Sequence, residues 1–231
     1  MRKVLLILVL ALFTTASGLK AQNLGFTAGV SFSNVSFSGS DAPVFDSVNK
    51  VPLISPRVGF LYMHPVSDQF FFQTGVFASA KGYKIKNEDA DFTAFYPVLY
   101  VDVPLQFGYT YDFGGAKLRA MTGPYLGLAT YTQYAYKVSG EWENEERTIG
   151  DGSEPTDLYK PFDFGWNIEA GVEVNRFILT GYYSLGLIDV LAIDDDANLD
   201  VQGKNNVFGI NLSILFGDYS DDPEGRGTIR L

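Results

Sequence analysis

The 231-residue chain contains no cysteine and only one histidine, His64. The lack of cysteine excludes a disulfide framework and any zinc site built from thiolates. A single imidazole is too few for a histidine-built metal centre, and no nucleophile elbow, phosphate-binding loop or zinc-protease motif occurs in the chain. The sequence therefore predicts no enzymatic activity, no cofactor and no resident metal.

Positive charge is scarce, because 17 Lys and Arg stand against 27 Asp and Glu, giving a formal net charge of −10. Nucleic-acid binding requires a basic surface, so we expect no nucleic-acid partner. Intrinsic disorder is excluded as well, since 46% of the residues are hydrophobic and 15% are aromatic.

Long hydrophobic runs are also absent. The longest, residues 4–13, is about half the ~20 residues that a membrane-spanning helix needs. It follows a basic Met1-Arg2-Lys3 and precedes a small, polar stretch, an order typical of a secretory signal peptide. We predict a signal peptide over residues 1–21, with cleavage after Ala21 and cleavage after Gly18 as the alternative.

What the chain does contain is strict alternation of apolar and polar residues, the signature of β-strands. Eight segments show it: 24–37, 54–62, 70–83, 99–111, 118–128, 162–174, 177–185 and 208–216. Short connections at 65–68, 112–115 and 175–176 alternate with long ones at 39–53, 84–95, 137–160 and 187–204. An even number of strands with alternating loop lengths predicts an all-β fold, an eight-stranded antiparallel up-and-down barrel over residues 22–216.

Local details of this barrel can be predicted too. The apolar parity changes after Asn34, which predicts a β-bulge. The turn at 175–176 is short enough to pair Val174 with Phe177 in a two-residue hairpin. Prolines remove ladder donors, so we expect distortions of the wall at four positions: Pro56, Pro97, Pro104 and Pro124.

The two faces of the predicted strands differ in a way that indicates a transmembrane barrel. One face carries bulky apolar residues, and the other carries Gly, Ser, Thr and Asn with charges of both signs. We expect an aromatic belt at the short-turn end, formed by Phe70, Phe71, Phe72, Tyr109, Tyr111, Phe113, Phe177 and Phe216. A second belt is expected toward the long loops, formed by Tyr131, Tyr134, Tyr136, Phe162 and Trp166. A soluble secreted barrel that binds an apolar ligand stays open as an alternative.

The run from Tyr100 to Tyr109, YVDVPLQFGY, resembles the PorT-type porin-like family, also called the outer-membrane protein β-barrel domain family. Residues 165–173 and 182–187 are similar to it as well, and the resemblance extends through Phe216. It implies an integral barrel in the outer membrane of a Gram-negative cell, surrounded by outer-membrane lipids, and the family name implies a link to protein secretion. The aromatic-ended segment 208–216 resembles the final strand that the barrel-assembly machinery reads. We expect a monomer.

Charged residues on the inward face form the candidate site. Eight occupy this parity: Arg57, Lys81, Lys117, Arg119, Asp102, Asp163, Glu169 and Glu173. Unpaired buried charges are costly, so we predict a lumen plugged by an ion-pair network. Its members are Arg57, Asp102, Arg119, Glu169 and Glu173, whereas Lys81 and Lys117 are expected to reach water near the barrel ends. The expected role is structural or surface-interacting, and a small channel for ions or solutes is the alternative.

The remaining candidates lie outside the strands. Loop 137–160 holds seven acidic residues and could contact an extracellular partner. Loop 187–204 contains Asp189, residues 194–196 and Asp200, whose carboxylates could bind calcium although their spacing matches no EF-hand. Residues 217–231 form a short acidic tail. His64 is predicted to lie at a short turn, the end away from extracellular substrates.

Overall fold

The computed structural model describes residues 24–43, 49–87, 91–138, 140–154, 156–193 and 199–216. The predicted signal peptide and the acidic tail lie outside these ranges. Within them, no helix is long and apolar enough to cross a membrane.

The described residues form twelve strands. Their bounds are β1 Leu24–Ser38, β2 Lys50–Pro65, β3 Phe70–Asn87, β4 Phe92–Asp112, β5 Lys117–Thr132, β6 Tyr134–Val138, β7 Glu141–Glu145, β8 Thr148–Ile149, β9 Asp157–Tyr159, β10 Phe162–Val174, β11 Phe177–Gly186 and β12 Gln202–Leu215. Eight of them, in the order β1-β2-β3-β4-β5-β10-β11-β12, pair antiparallel, and β12 pairs back with β1 to close a ring. The predicted eight-stranded antiparallel barrel is confirmed.

Alternation decides which side chains face outward. Ile54 and Phe60 on β2 are 65% and 61% exposed, whereas Ser55 and Arg57 between them are buried inside the ring. Large apolar side chains are exposed in this way on every strand of the ring. A water-soluble protein rarely exposes so large an apolar surface, so this face requires an apolar surrounding and argues against the soluble alternative.

The three predicted short turns are present, at 66–69, 113–116 and 175–176. At the last of them Val174 pairs with Phe177 and Glu173 with Ile178, as predicted. Asn175 has a φ of 54°, the left-handed conformation that a two-residue hairpin turn requires.

The loop end of the barrel contains more β-structure than the sequence predicted. The predicted long loop 84–95 is instead a continuation of β3 and β4, with only residues 88–91 between them. Part of the predicted loop 137–160 forms the hairpin β6–β7, and β6 pairs with the first residues of β4. Backbone pairing extends the strands through their polar residues, so β3, β4, β6 and β7 project as a sheet beyond the ring.

The predicted bulge after Asn34 is wrong, because β1 and β12 pair without a shift from Gly25 to Ser38. Val35 keeps the inward parity and is buried. The apolar residues change parity in the sequence because the inward positions of β1 switch from polar residues to Val35 near the loop end.

The prediction of proline distortions is correct only in part. The β2–β3 register shifts between Pro52 and Arg57, around Pro56, and the β4–β5 register shifts between Leu99 and Tyr100. The β5–β10 ladder runs past Pro124 without a shift.

Apolar clusters occupy both ends of the interior. At the loop end, segments 156–159 and 187–193 fold into the mouth of the ring and bury a cluster of Val98, Tyr100, Ala129, Tyr159, Val190 and Leu191. Toward the short-turn end the cluster consists of Leu61, Met63, Phe77, Ile178 and Leu215. With the loop end taken as the top, most of the inward charges described next lie between these two clusters or beside the lower one, near the short turns.

Candidate functional site in the barrel interior

The upper charge cluster is built on one rung of the ring. Asp102 on β4 and Asp163 on β10 both pair with Gly127 on β5, so two carboxylates flank a residue without a side chain. A Cβ at position 127 would lie 2.6 Å from Asp102 Oδ1. The ammonium group of Lys81 lies between the two carboxylates, with Nζ 2.8 Å from Asp102 Oδ1 and 3.0 Å from Asp163 Oδ2. Lys81 is 1% exposed.

Neutral groups complete the surroundings of this ion triad. The hydroxyl of Tyr125 and the amide of Asn205 donate to Asp163 Oδ2 at 3.2 Å and 3.0 Å. The ammonium of Lys81 also lies 4.8 Å and 4.4 Å from the ring centroids of Tyr100 and Tyr125. The cation is therefore enclosed by two carboxylates and two aromatic rings, which are the environments that stabilise a buried charge.

Arg57 lies in the middle of the interior between two aromatic rings. Its guanidinium carbon is 4.7 Å from the Phe77 centroid and 4.5 Å from that of Tyr182. The Tyr182 hydroxyl is 2.6 Å from Ser31 Oγ, which fixes this ring in place. No ion pair within 4.0 Å joins Arg57 to a carboxylate among the described residues.

Glu169 lies in the same middle layer and accepts a hydrogen bond from Gln106 Nε2 at 2.9 Å. Beside it is a cavity of about 10 Å³, enough for about one water molecule. Asn211 and Ser213 also line the cavity, so its walls offer the polar partners that a buried water needs.

The lower cluster joins Arg119 to Glu173 at 2.6 Å, with both side chains buried. The guanidinium of Arg119 lies 4.2 Å from the Phe71 centroid. Lys117, whose side chain is 19% exposed, is 3.9 Å from Glu173. Its position at the start of β5 agrees with the prediction that it reaches toward water.

The structure brings the five predicted network residues inside the ring but does not join them into one network. Arg119 pairs with Glu173, Asp102 pairs with Lys81, and Arg57 and Glu169 have aromatic and amide neighbours instead. The prediction that Lys81 reaches water is wrong. The strand β3 continues six residues past Lys81, which places the side chain deep in the interior.

Several contributors were missed by sequence reasoning. Gln106, Tyr125 and Asn205 all lie at inward positions, so parity was the signal that could have identified them. Phe71 was expected in the aromatic belt, but it is buried inside against Arg119.

The other belt residues lie on the outward face, where Phe72 is half-buried and the rest are exposed, apart from two residues at the loop end. Tyr131, Phe162 and Trp166 are exposed there. Tyr134 and Tyr136, which were expected in the same belt, lie instead on β6 in the projecting sheet.

The other candidate groups have ordinary partners. In the described ranges no three His, Asp or Glu side chains come together in a way that could hold a metal. Asp189 pairs with Lys160 at 2.5 Å, and Asp200 accepts hydrogen bonds from Ser40, while residues 194–196 lie outside the described ranges. His64 is at the short-turn end of β2, as predicted, with its ring 6.4 Å from that of Tyr62.

A closed antiparallel ring with an apolar outer face and a polar, charged interior defines a β-barrel of the outer-membrane type. Residues 17–192 match the family described as outer membrane protein beta-barrel domain. The chain belongs to this family, and its location is the outer membrane.

Solved structures with a similar fold share little sequence with the chain. The outer membrane protein OprG from Pseudomonas aeruginosa is 11% identical, with 87% of this chain and 99% of that chain covered and a TM-score of 0.44. Neisserial surface protein A is 12% identical, with 84% and 97% covered and a TM-score of 0.40. The outer membrane enzyme PagL is 12% identical, with 82% and 98% covered and a TM-score of 0.38. No curated protein matches the chain.

Proposed function

We propose that this protein is a non-enzymatic outer-membrane barrel whose lumen is plugged by internal charge pairs and whose loop end contacts a partner outside the cell. The observation that carries the proposal is the ion bridge of Lys81, which contacts Asp102 on the neighbouring strand at 2.8 Å and Asp163 across the lumen at 3.0 Å. The apolar cluster at the loop end also supports the proposal, since ions moving through the lumen would have to pass this cluster as well as the Lys81 bridge.

Reconstitution of the purified chain into planar lipid bilayers tests the plug. We expect no steady conductance, because an eight-stranded barrel has an interior that side chains can fill. Glu169→Ala should lower the thermal unfolding temperature without creating a current. Glu141→Ala, on the exposed strand β7, is the matched control and should leave the unfolding temperature unchanged. A stable open channel whose ion selectivity shifts in Glu169→Ala would contradict the proposal.

The second candidate is a small channel for ions or solutes. Its support is the polar middle layer between the apolar clusters, including the water-sized cavity beside Glu169. If the loop segments 156–159 and 187–193 moved out of the mouth of the barrel, this layer would become a water-filled channel lined by charged side chains. Conductance that appears only after Leu191→Asp would favour this candidate.

The interaction role rests on the acidic hairpin β6–β7, whose strand β7 is exposed at all five residues. Substitution of Glu141, Glu143 and Glu145 by Gln should weaken binding of an extracellular partner to whole cells. Unchanged binding of every partner captured by the parent protein would contradict this role.

The finer family assignment and the route of export complete the proposal. The run at 100–109 supports a PorT-type relative, and a deletion strain with normal protein secretion would contradict the implied secretion link. Export by a signal peptide over residues 1–21 predicts that the mature protein begins at Gln22, which N-terminal sequencing would test.

A further inference from the structure

The projecting sheet of β3, β4, β6 and β7 carries a basic, aromatic surface on its outward face. This face continues the lipid-facing side of the ring, because the same parity of β4 includes the exposed Leu99. Backbone register places two rungs across it. They are Lys84–Phe95–Ala135–Asn144 and Lys86–Thr93–Lys137–Trp142.

Side-chain contacts join these rungs into one surface. The ammonium of Lys84 lies 4.8 Å from the Phe95 centroid, and the rings of Phe95 and Trp142 are 5.6 Å apart. Trp142 is 56% exposed. Lys86 and Lys137 are two strands apart, about 10 Å between backbones, so their flexible ammonium groups can approach the same ligand.

The opposite face of the same sheet has the opposite charge. Glu143 and Glu145 of β7 pair across to Tyr136 and Tyr134 of β6. The hydroxyl of Tyr136 donates to Glu143, and Arg147 pairs with Glu145 at 3.0 Å. In a chain with a net charge of −10, three lysines therefore lie together on the face of this sheet that continues the lipid-facing side of the ring.

This face begins just beyond the lipid headgroups, within the reach of lysine side chains. The outward apolar positions of β4 run from Tyr111 to Leu99, a rise of about 30 Å at a strand tilt of about 40°, which is the thickness of the hydrocarbon core. Phe95 and Thr93 lie roughly 10–15 Å further along the same strand. Lysine stems can bend back from this height toward the headgroups.

We propose that Lys84, Lys86 and Lys137, with Phe95 and Trp142, form a binding site for phosphate groups of membrane lipids at the loop end of the barrel. The ammonium groups supply positive charge at the level of the phosphates. The indole of Trp142 supplies the amphipathic contact that tryptophan makes at a membrane interface, and the apolar ring of Phe95 packs beside it. Bound lipid would hold the projecting sheet against the membrane surface.

Thermal unfolding of the detergent-purified full chain, titrated with lipid, tests the site. The probes are diphosphorylated lipid A, the same lipid without its phosphates, and phosphatidylcholine. The parent protein should be stabilised most by diphosphorylated lipid A. The triple variant Lys84→Gln, Lys86→Gln, Lys137→Gln should lose this preference by about fivefold per lysine, on the order of a hundredfold in total.

Two matched variants control for charge and folding. The triple lysine-to-arginine variant should keep the preference, and its heat-modifiable gel mobility verifies that the barrel is folded. The triple Glu141→Gln, Glu143→Gln, Glu145→Gln, on the opposite face, should keep it as well. Trp142→Ala, which alters no charge, should weaken binding of all three lipids.

Four results would overturn the site. The lysine-to-glutamine variant could keep the full preference, or the glutamate variant could lose as much of it. Lipid A without phosphates could bind as tightly as the phosphorylated form. Millimolar inorganic phosphate could displace the lipid, which would indicate a site for soluble anions.

Discussion

Lys81 and Asp163 are 82 positions apart in the sequence, and their side chains meet at 3.0 Å inside the barrel. Two strands of the ring, β4 and β5, separate their strands β3 and β10. The contact therefore crosses the interior, and Asp102 on β4 holds the same ammonium group. Because burying charges is costly, this triad constrains the shape of the lumen more surely than it adds net stability.

Removal of the cation from this triad should be strongly destabilising. Lys81→Met leaves Asp102 and Asp163 buried without their cation, so we expect a loss of about 3–5 kcal/mol in the free energy of unfolding. Urea unfolding of protein folded into lipid vesicles measures it.

The matched control for that variant is Lys160→Met. Lys160 pairs with Asp189, but its side chain is 41% exposed, so we expect a loss of at most about 1 kcal/mol. Equal losses of unfolding free energy in the two variants would show that the buried triad contributes no more to stability than the exposed ion pair. The combined variant Lys81→Met, Asp102→Asn, Asp163→Asn should recover much of the loss, since no uncompensated charge remains.

Closure of the ring predicts heat-modifiable mobility on detergent gels. β12 pairs with β1 along fourteen residue pairs, so the ring has no free edge at which detergent-driven unfolding can begin. Unboiled protein extracted from membranes should migrate differently from boiled protein. Identical migration of the two samples would contradict the closed barrel.

The period-2 pattern was sufficient to predict the ring, the short turns and the inward position of the eight charged residues assigned to the lumen. It was insufficient for the pairing, because parity gives the face of a side chain and not its height in the lumen. Asp102 meets Lys81 through the stagger of β3 against β4, which no local pattern specifies.

Phe71 shows the same limit for aromatic residues. Its backbone partner on β4 is Gly108, and a Cβ there would lie 2.2 Å from the Phe71 ring. The ring fits inside only because its cross-strand neighbour lacks a side chain. The strands at the loop end were not predicted, because the polar residues at 84–87 are typical of a loop. Backbone pairing with β4 nevertheless keeps these residues in β3.

A contact between the first and last long connections should depend on pH. The backbone N–H and hydroxyl of Ser40 donate to Asp200 Oδ2 at 3.0 Å and 3.1 Å, and these hydrogen bonds lower the pKa of Asp200 below its ordinary value of 3.8. A depressed pKa means that the stabilising contribution is present above that value and is lost as pH falls through the folded-state pKa.

Amide exchange measured by NMR tests this pH dependence. Protection of the Ser40 amide should be constant from pH 7 to about 4 and fall below about 3.8. Asp200→Ala should lack this protection at every pH while the ring strands keep theirs. Protection of Ser40 in the parent protein that persists unchanged at pH 2 would contradict the role of the Asp200 carboxylate.

The absence of cysteine makes the orientation of the barrel directly measurable, because any introduced thiol is the only one in the chain. Long loops of such barrels face the outside and short turns face the periplasm. Glu146 is exposed beyond β7 at the loop end, and Asp68 is exposed in the turn between β2 and β3. A membrane-impermeant maleimide added to intact cells should therefore label Glu146→Cys and leave Asp68→Cys unlabelled.

Permeabilised cells supply the control, because both variants should be labelled once the outer membrane is broken. The parent protein, which has no thiol, gives the background. Protease treatment of intact cells should agree by cutting within 137–160, where the described connections between short strands are most exposed. Labelling of Asp68→Cys alone on intact cells would invert the orientation, and it would place the acidic hairpin β6–β7 in the periplasm, where no extracellular partner could reach it.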